Sequence, residues 1–199
     1  MPQFVMENAV ECAREESAFV LGFIEAMFFT EQSPGLSTEE WLAGCEPGTN
    51  EGSLPGDVGY CDIHPDSLAA IRADCEAWQA ANSELLEQAY SRDYDETQAG
   101  RDYWFTRNGH GVGFWDRKEL ELDSDEYERL TQVMIDNRHN NAAWGAALAE
   151  RTAIESQSIG DKLTEACQYR EVNPFFANHV THGDSPFVHV DLPDQSTNR

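Results

Sequence analysis

The sequence predicts an α+β domain, in which a small antiparallel sheet of about four strands, centred on a hairpin over 102–116, packs with several helices. Three observations predict it. Asn108-Gly109 sits between two aromatic runs, a signal for a tight turn between strands because both residues tolerate positive φ. Apolar residues recur at helical spacing over 7–29, 65–90 and 124–155. The segment Phe187–Asp191 alternates as a half-buried strand does, with Phe187, His189 and Asp191 on one side and Val188 and Val190 on the other.

The chain has 199 residues, 40% of them hydrophobic and 11% aromatic, enough to bury one core. It reads as a single domain over 1–192 with a helical insertion at about 118–158 and a disordered tail at 193–199. In the first helix Val20, Phe23, Ile24, Met27 and Phe28 form one stripe, with Glu15, Glu16 and Glu25 off it. Ser33-Pro34-Gly35 ends it. A Pro- and Gly-rich stretch to Ile63 follows, with a helical turn at Trp41-Leu42 after Ser37-Thr38-Glu39-Glu40. Pro65 and Asp66 suit the first turn of the next helix, which Leu68, Ile71, Cys75, Trp78 and Leu85 carry to about Tyr90.

In the hairpin, period-2 alternation puts Tyr103, Phe105, Val112 and Phe114 on one side, and Trp104, Thr106 and Trp115 on the other. Arg107, Asn108 and His110 would crown its turn as a polar cluster open to a partner, or serve only the geometry of the turn. Asp123 and Glu126 make a capping-box-like start to a helix that Tyr127, Leu130, Val133 and Met134 continue. Asn137–Asn141 breaks it and Ala142–Glu155 forms its partner. Ser158 caps a short helix to about Tyr169, and strands follow at 172–176 and 187–191.

The run DYWFTRNGHGVGFWDR, with the preceding AGR, FIEAMFF upstream and the helix DIHPDSLAAIRADCEAW, resembles an uncharacterised family of small tailed-phage and prophage proteins. That family is built around an HDFWLTRNGHGxGFWDR-like signature. The resemblance implies a phage origin and a shared fold, and it implies no activity. This chain departs from it at Tyr103, where Phe is usual, and at Arg101, where His is expected; the segment between Arg117 and Gly160 looks inserted.

Charge bounds function most tightly. Lys and Arg number 13 against 37 Asp and Glu, a formal net charge of −24. Such a field repels phosphates and anionic lipid, so direct nucleic-acid or membrane binding is disfavoured and a basic protein surface is the expected partner. The leading reading is a phage-encoded acidic protein in the host cytoplasm. It would bind and inhibit a host nucleic-acid-handling protein in the manner of anti-restriction or anti-CRISPR proteins, with carboxylates imitating a phosphate ladder. Its carriers would be Glu119, Glu121, Asp123, Asp125, Glu126 and Glu128, with Asp93, Asp95 and Glu96, and with Arg107, Asn108 and His110 at the turn. Plain solubility is the competing account of the same charge.

Two other classes remain open. A metal-dependent hydrolase would use His110, His179, His182 and Asp184, although His179-x-x-His182 followed by turn residues matches no metal signature. A self-associating accessory protein would present Trp104 or Trp115 at a homodimer interface. No P-loop, GxSxG, HExxH or dinucleotide fingerprint occurs, and no cofactor is expected. The cysteines Cys12, Cys45, Cys61, Cys75 and Cys167 are odd in number and hold no CxxC pair, so reduced thiols are expected.

Overall fold

A computed structural model describes residues 15–46, 52–121, 124–155, 158–168, 170–178 and 186–193. Its centre is helix α1 (Ala18–Glu31), capped by the Ser17 hydroxyl, which accepts from the Val20 amide at 3.2 Å. The helix is buried nearly all round rather than along one stripe: Phe19, Phe23, Ile24, Ala26, Met27 and Phe28 are fully enclosed, and Glu25 is buried with them. That fits the run of apolar residues between Ala18 and Phe29, which leaves no polar face for water.

After α1 come β1 (Gln32–Ser33), α2 (Thr38–Leu42) and β2 (Leu54–Pro55), with β1 and β2 paired in parallel. The Trp41-Leu42 turn forms where expected, closed by a capping box between Ser37 and Glu40. A 3-10 turn at Tyr60–Asp62 leads into α3 (Pro65–Ala81) and α4 (Ser83–Tyr90). The single helix expected over this stretch is broken at Asn82, whose side-chain amide donates to the Trp78 carbonyl at 2.9 Å. Pro65 occupies the first turn of α3, as its fixed φ suits.

The hairpin expected over 102–116 is not formed. Residues Glu96–Arg107 are helix α5, and 3-10 turns follow at Phe114–Asp116 and Lys118–Leu120. Asp95 caps α5 by accepting from the Gln98 amide at 2.6 Å. At the far end Gly109 takes φ +69. Its N–H donates to the Thr106 carbonyl at 3.3 Å while the His110 N–H donates to the Phe105 carbonyl at 2.9 Å, the paired bonds of a glycine helix terminator. Asn-Gly serves a hairpin turn and a helix end through one property, its tolerance of positive φ, and here the helix claims it. The predicted faces dissolve accordingly. Tyr103, Trp104, Phe105 and Phe114 are all buried, whereas Val112 and Trp115 are exposed.

Helices α1 and α5 form the principal packing pair. They cross at two glycines. A Cβ on Gly100 would stand 1.9 Å from the Phe19 carbonyl oxygen, and one on Gly22 would stand 2.0 Å from that of Thr97. Phe23 meets Trp104 edge-on at 5.2 Å, and Tyr103 stacks on Trp78 of α3 at 4.3 Å.

Helices α6 (Ser124–Asp136) and α7 (Asn141–Glu155) form the expected helical pair and are each other's main packing partner. Helix α8 (Ile159–Cys167) opens on Ser158, whose hydroxyl accepts from the Asp161 amide at 3.0 Å. The late strands form as β3 (Asn173–Asn178) and β4 (Pro186–Asp191), paired antiparallel in the register Phe175 opposite His189. They dock on the start of α3, where the Val190 amide donates to Ser67 Oγ at 3.1 Å and Ile63 bridges Val188. Among the described residues there are thus two separate two-stranded sheets, and the central four-stranded sheet is absent, because its two middle strands are helix α5 and the turns after it. The tail from 194 lies outside the described residues.

Candidate functional site

The segment 101–108 is a structural hub. Five of its consecutive or near-consecutive polar side chains each hold a different neighbour. Arg101 donates to Glu25 Oε2 of α1 through Nε and Nη2, at 2.8 and 2.6 Å. Asp102, fully enclosed, receives Arg117 through two bonds of 2.7 and 2.5 Å, the Tyr94 hydroxyl at 2.6 Å and the Gln98 amide at 3.0 Å. Arg107, 3% exposed, pairs with Asp74 of α3, receives the Tyr103 ring beneath it and donates through Nε to the Arg170 carbonyl at 2.8 Å. Thr106 Oγ1 accepts from the Phe114 amide at 3.2 Å, and Asn108 Oδ1 accepts from the Val172 amide at 2.6 Å. Trp104 donates from its indole to Thr30 Oγ1 at 2.9 Å.

These contacts relocate the residues expected to crown a turn. Arg107 is interior, paired with Asp74 rather than crowning an exposed turn. Asn108 spends its side chain on the strand approach, and His110 packs on Trp104 and Phe105. Trp104 is likewise interior, which leaves Trp115, 49% exposed, as the half-exposed indole of that pair.

Burial explains the electrostatics of this interior. It pushes the Tyr94 and Tyr103 hydroxyls far above their ordinary range, with the Asp102 and Asp74 carboxylates adding to it. The Asp102 hydrogen bonds hold Arg117 charged. Burial also raises the Cys75 and Cys167 thiols, which with Cys45 form no disulfide. Such thiols are poor nucleophiles, since only the thiolate attacks.

On the outside, the fold gathers acidic residues that lie apart in sequence. Asp93 and Asp95, before α5, and Asp116 and Glu119, from the turns after it, line one depression of about 390 Å³ together with Lys118 and Arg117. Its wall includes Tyr94 and Gln98, two of the groups that hold Asp102. Glu96 is half-buried beside it in the chain, and Glu121 and Glu128 are exposed. Arg92 donates to the Glu121 carbonyl at 2.9 Å, tying the two acidic segments together. Asp123 and the side chains of Asp125 and Glu126 lie outside the described residues. Asp116 joins these carboxylates through the 3-10 turn that follows α5.

A second depression of about 310 Å³ lies between α3 and α8 over Asp74, Trp78, Tyr103 and Arg107. Among the described residues the histidines assemble no metal site. His110 sits at the end of α5, whereas His64 stacks on His189 at 4.9 Å beside Phe187. His179, His182 and Asp184 lie outside the described residues, and among those described no group of three metal-ligand side chains is assembled. No described helix is long and apolar enough to cross a membrane. Searches of protein-family models, curated proteins and solved structures found no match to this chain.

Proposed function

We propose that the protein is an acidic ligand for a basic protein surface, in particular the nucleic-acid groove of a host enzyme that handles DNA or RNA. One observation carries the reading. Arg72, Arg101, Arg107 and Arg117 are each paired with a carboxylate of the same chain, Glu16, Glu25, Asp74 and Asp102, so these cations relieve none of the surplus negative charge. The net −24 is therefore borne by the remaining groups, among them the rim of Asp93, Asp95, Asp116 and Glu119. Carboxylates grouped at a helix N-terminus and on two short turns, with Lys118 and Arg117 among them, suit fast, salt-sensitive docking on a basic surface. The resemblance of the signature to phage proteins supports a host target.

The test is competition with duplex DNA for purified host restriction and CRISPR nucleases. The expected result is inhibition of cleavage that weakens as NaCl rises. The triple variant Asp93→Lys, Asp116→Lys, Glu119→Lys should slow association on the order of 10- to 100-fold. Unchanged inhibition by that variant, or no inhibition of any nuclease in the panel, rejects the reading.

A further inference from the structure

The strands β3 and β4 meet the start of α3 through two histidines. His64, the residue before α3, is 6% exposed. Its ring stacks on that of His189 of β4, with centroids 4.9 Å apart and planes 23° apart. Phe175 of β3 also stacks on His189, at 5.3 Å, and Phe187 meets His64 edge-on at 5.2 Å. Two backbone amides complete the joint. The His64 N–H donates to the Val188 carbonyl at 2.9 Å, and the Val190 N–H donates to Ser67 Oγ at 3.1 Å. Both bonds cross the joint rather than the ladder between the strands.

His64 also caps α3, its Nδ1 accepting from the Asp66 amide at 3.2 Å. That bond needs an unprotonated Nδ1, because an imidazolium donates from both nitrogens and accepts at neither. Protonation would further place a positive charge at the positive end of the helix dipole. With His189 protonated as well, two like charges would face each other across the stack. The charged groups around the joint do little to offset this. Asp66 Oδ2 stands 3.8 Å from Nδ1 on a side chain 89% exposed, where water screens it. It can receive a protonated Nδ1 but cannot restore the cap. In the 3-10 turn Tyr60 bonds Glu16, Cys61 is exposed, and Asp62 accepts from the Gly59 amide at 2.7 Å. Asp191 is exposed at the end of β4, and β3 carries no charged residue. Glu31 is held through Ser53 beside the Pro174 carbonyl, one residue from Phe175 on β3.

We propose that this joint is a pH-sensitive latch: neutral His64 and His189 hold the β3–β4 pair against α3, and proton uptake by the two rings releases it. The released form binds more protons than the docked one, so docking is complete on the alkaline side and is lost as the pH falls. Each linked proton shifts the opening equilibrium by up to about tenfold per pH unit, and two by up to about 100-fold.

Amide hydrogen exchange on the full chain, followed by NMR from about pH 7.5 to about pH 5 and corrected for intrinsic exchange, tests this. The His64 and Val190 amides report the joint, and Phe23 and Ile24 of α1 serve as references. Protection at the joint should fall by about 10- to 100-fold while the references hold, since a carboxyl held low, such as that of Glu16, titrates below this window. His64→Asn keeps an acceptor at the cap and His189→Phe keeps a stacked ring, and neither replacement titrates. The double variant should hold protection at Val190 constant across the window, with His110, His139, His179 and His182 untouched. Constant protection in the wild type overturns the proposal, as does an equal fall in the double variant. In the wild type the loss must also track the ring shifts of His64 and His189 in the same titration; a loss that does not coincide with their protonation overturns the proposal whatever the variants do.

Discussion

Asp102 shows what a fully enclosed carboxylate needs in order to exist. Two guanidinium bonds, a phenol and an amide surround it, so its charge is compensated on every side. Removing the cation alone leaves that charge stranded. Arg117→Ala is therefore expected to cost about 3–5 kcal/mol in urea unfolding, and a loss below about 1 kcal/mol would place the pair with surface bridges. Glu16 gives a pH dependence. Burial by itself would raise its carboxyl, but the Arg72 guanidinium and the Tyr60 hydroxyl outweigh burial and hold it below its ordinary value of 4.5. Burial and the bond to Glu16 push Tyr60 up to about 12. A depressed carboxyl contributes stability that is complete above the unfolded value and is lost as the pH falls through the folded one. Thermal melts of Glu16→Gln should thus start from a lower midpoint at neutral pH and lose part of the acid limb below about pH 4.5. An acid limb identical to wild type would show that Glu16 does not titrate this way.

Among the elements, the crossing of α1 on α5 is fixed by backbone contact at Gly22 and Gly100. Gly100→Ala must push the helices apart and should destabilise by about 3 kcal/mol or more, whereas Gly145→Ala, in the exposed middle of α7, should stabilise by about 0.5–1 kcal/mol. Equal effects in chemical denaturation would contradict the geometry. The elements legible in the sequence were those whose own residues announce them. Ser37 with Glu40, Pro65, Ser158 and the alternation of Phe187–Asp191 each mark a boundary by local chemistry. Helix α5 was not legible by period, because Tyr103, Trp104, Phe105, Thr106 and Arg107 are all buried and so present no polar stripe at 3.6-residue spacing. The signal that identifies it is subtler. Asp95 three residues before Gln98 is a helix start, and Gly109 just past Arg107 is a helix stop.

At the scale of the whole molecule, net charge was readable from composition, but its placement was not. Asp93 and Asp95 were visible as acidic residues, as was Glu119; that they border one depression with Asp116 follows only from α5 turning the chain back on itself. The internal pairing of Arg101, Arg107 and Arg117 was equally hidden, since a buried arginine and a surface arginine look alike in a sequence. The hub built on 101–108 has a consequence for how such chains are compared. Its side chains are occupied in joining helices and strands to one another, so that run serves as a chassis. Two proteins that share it would be built alike and yet remain free to diverge in what they grip.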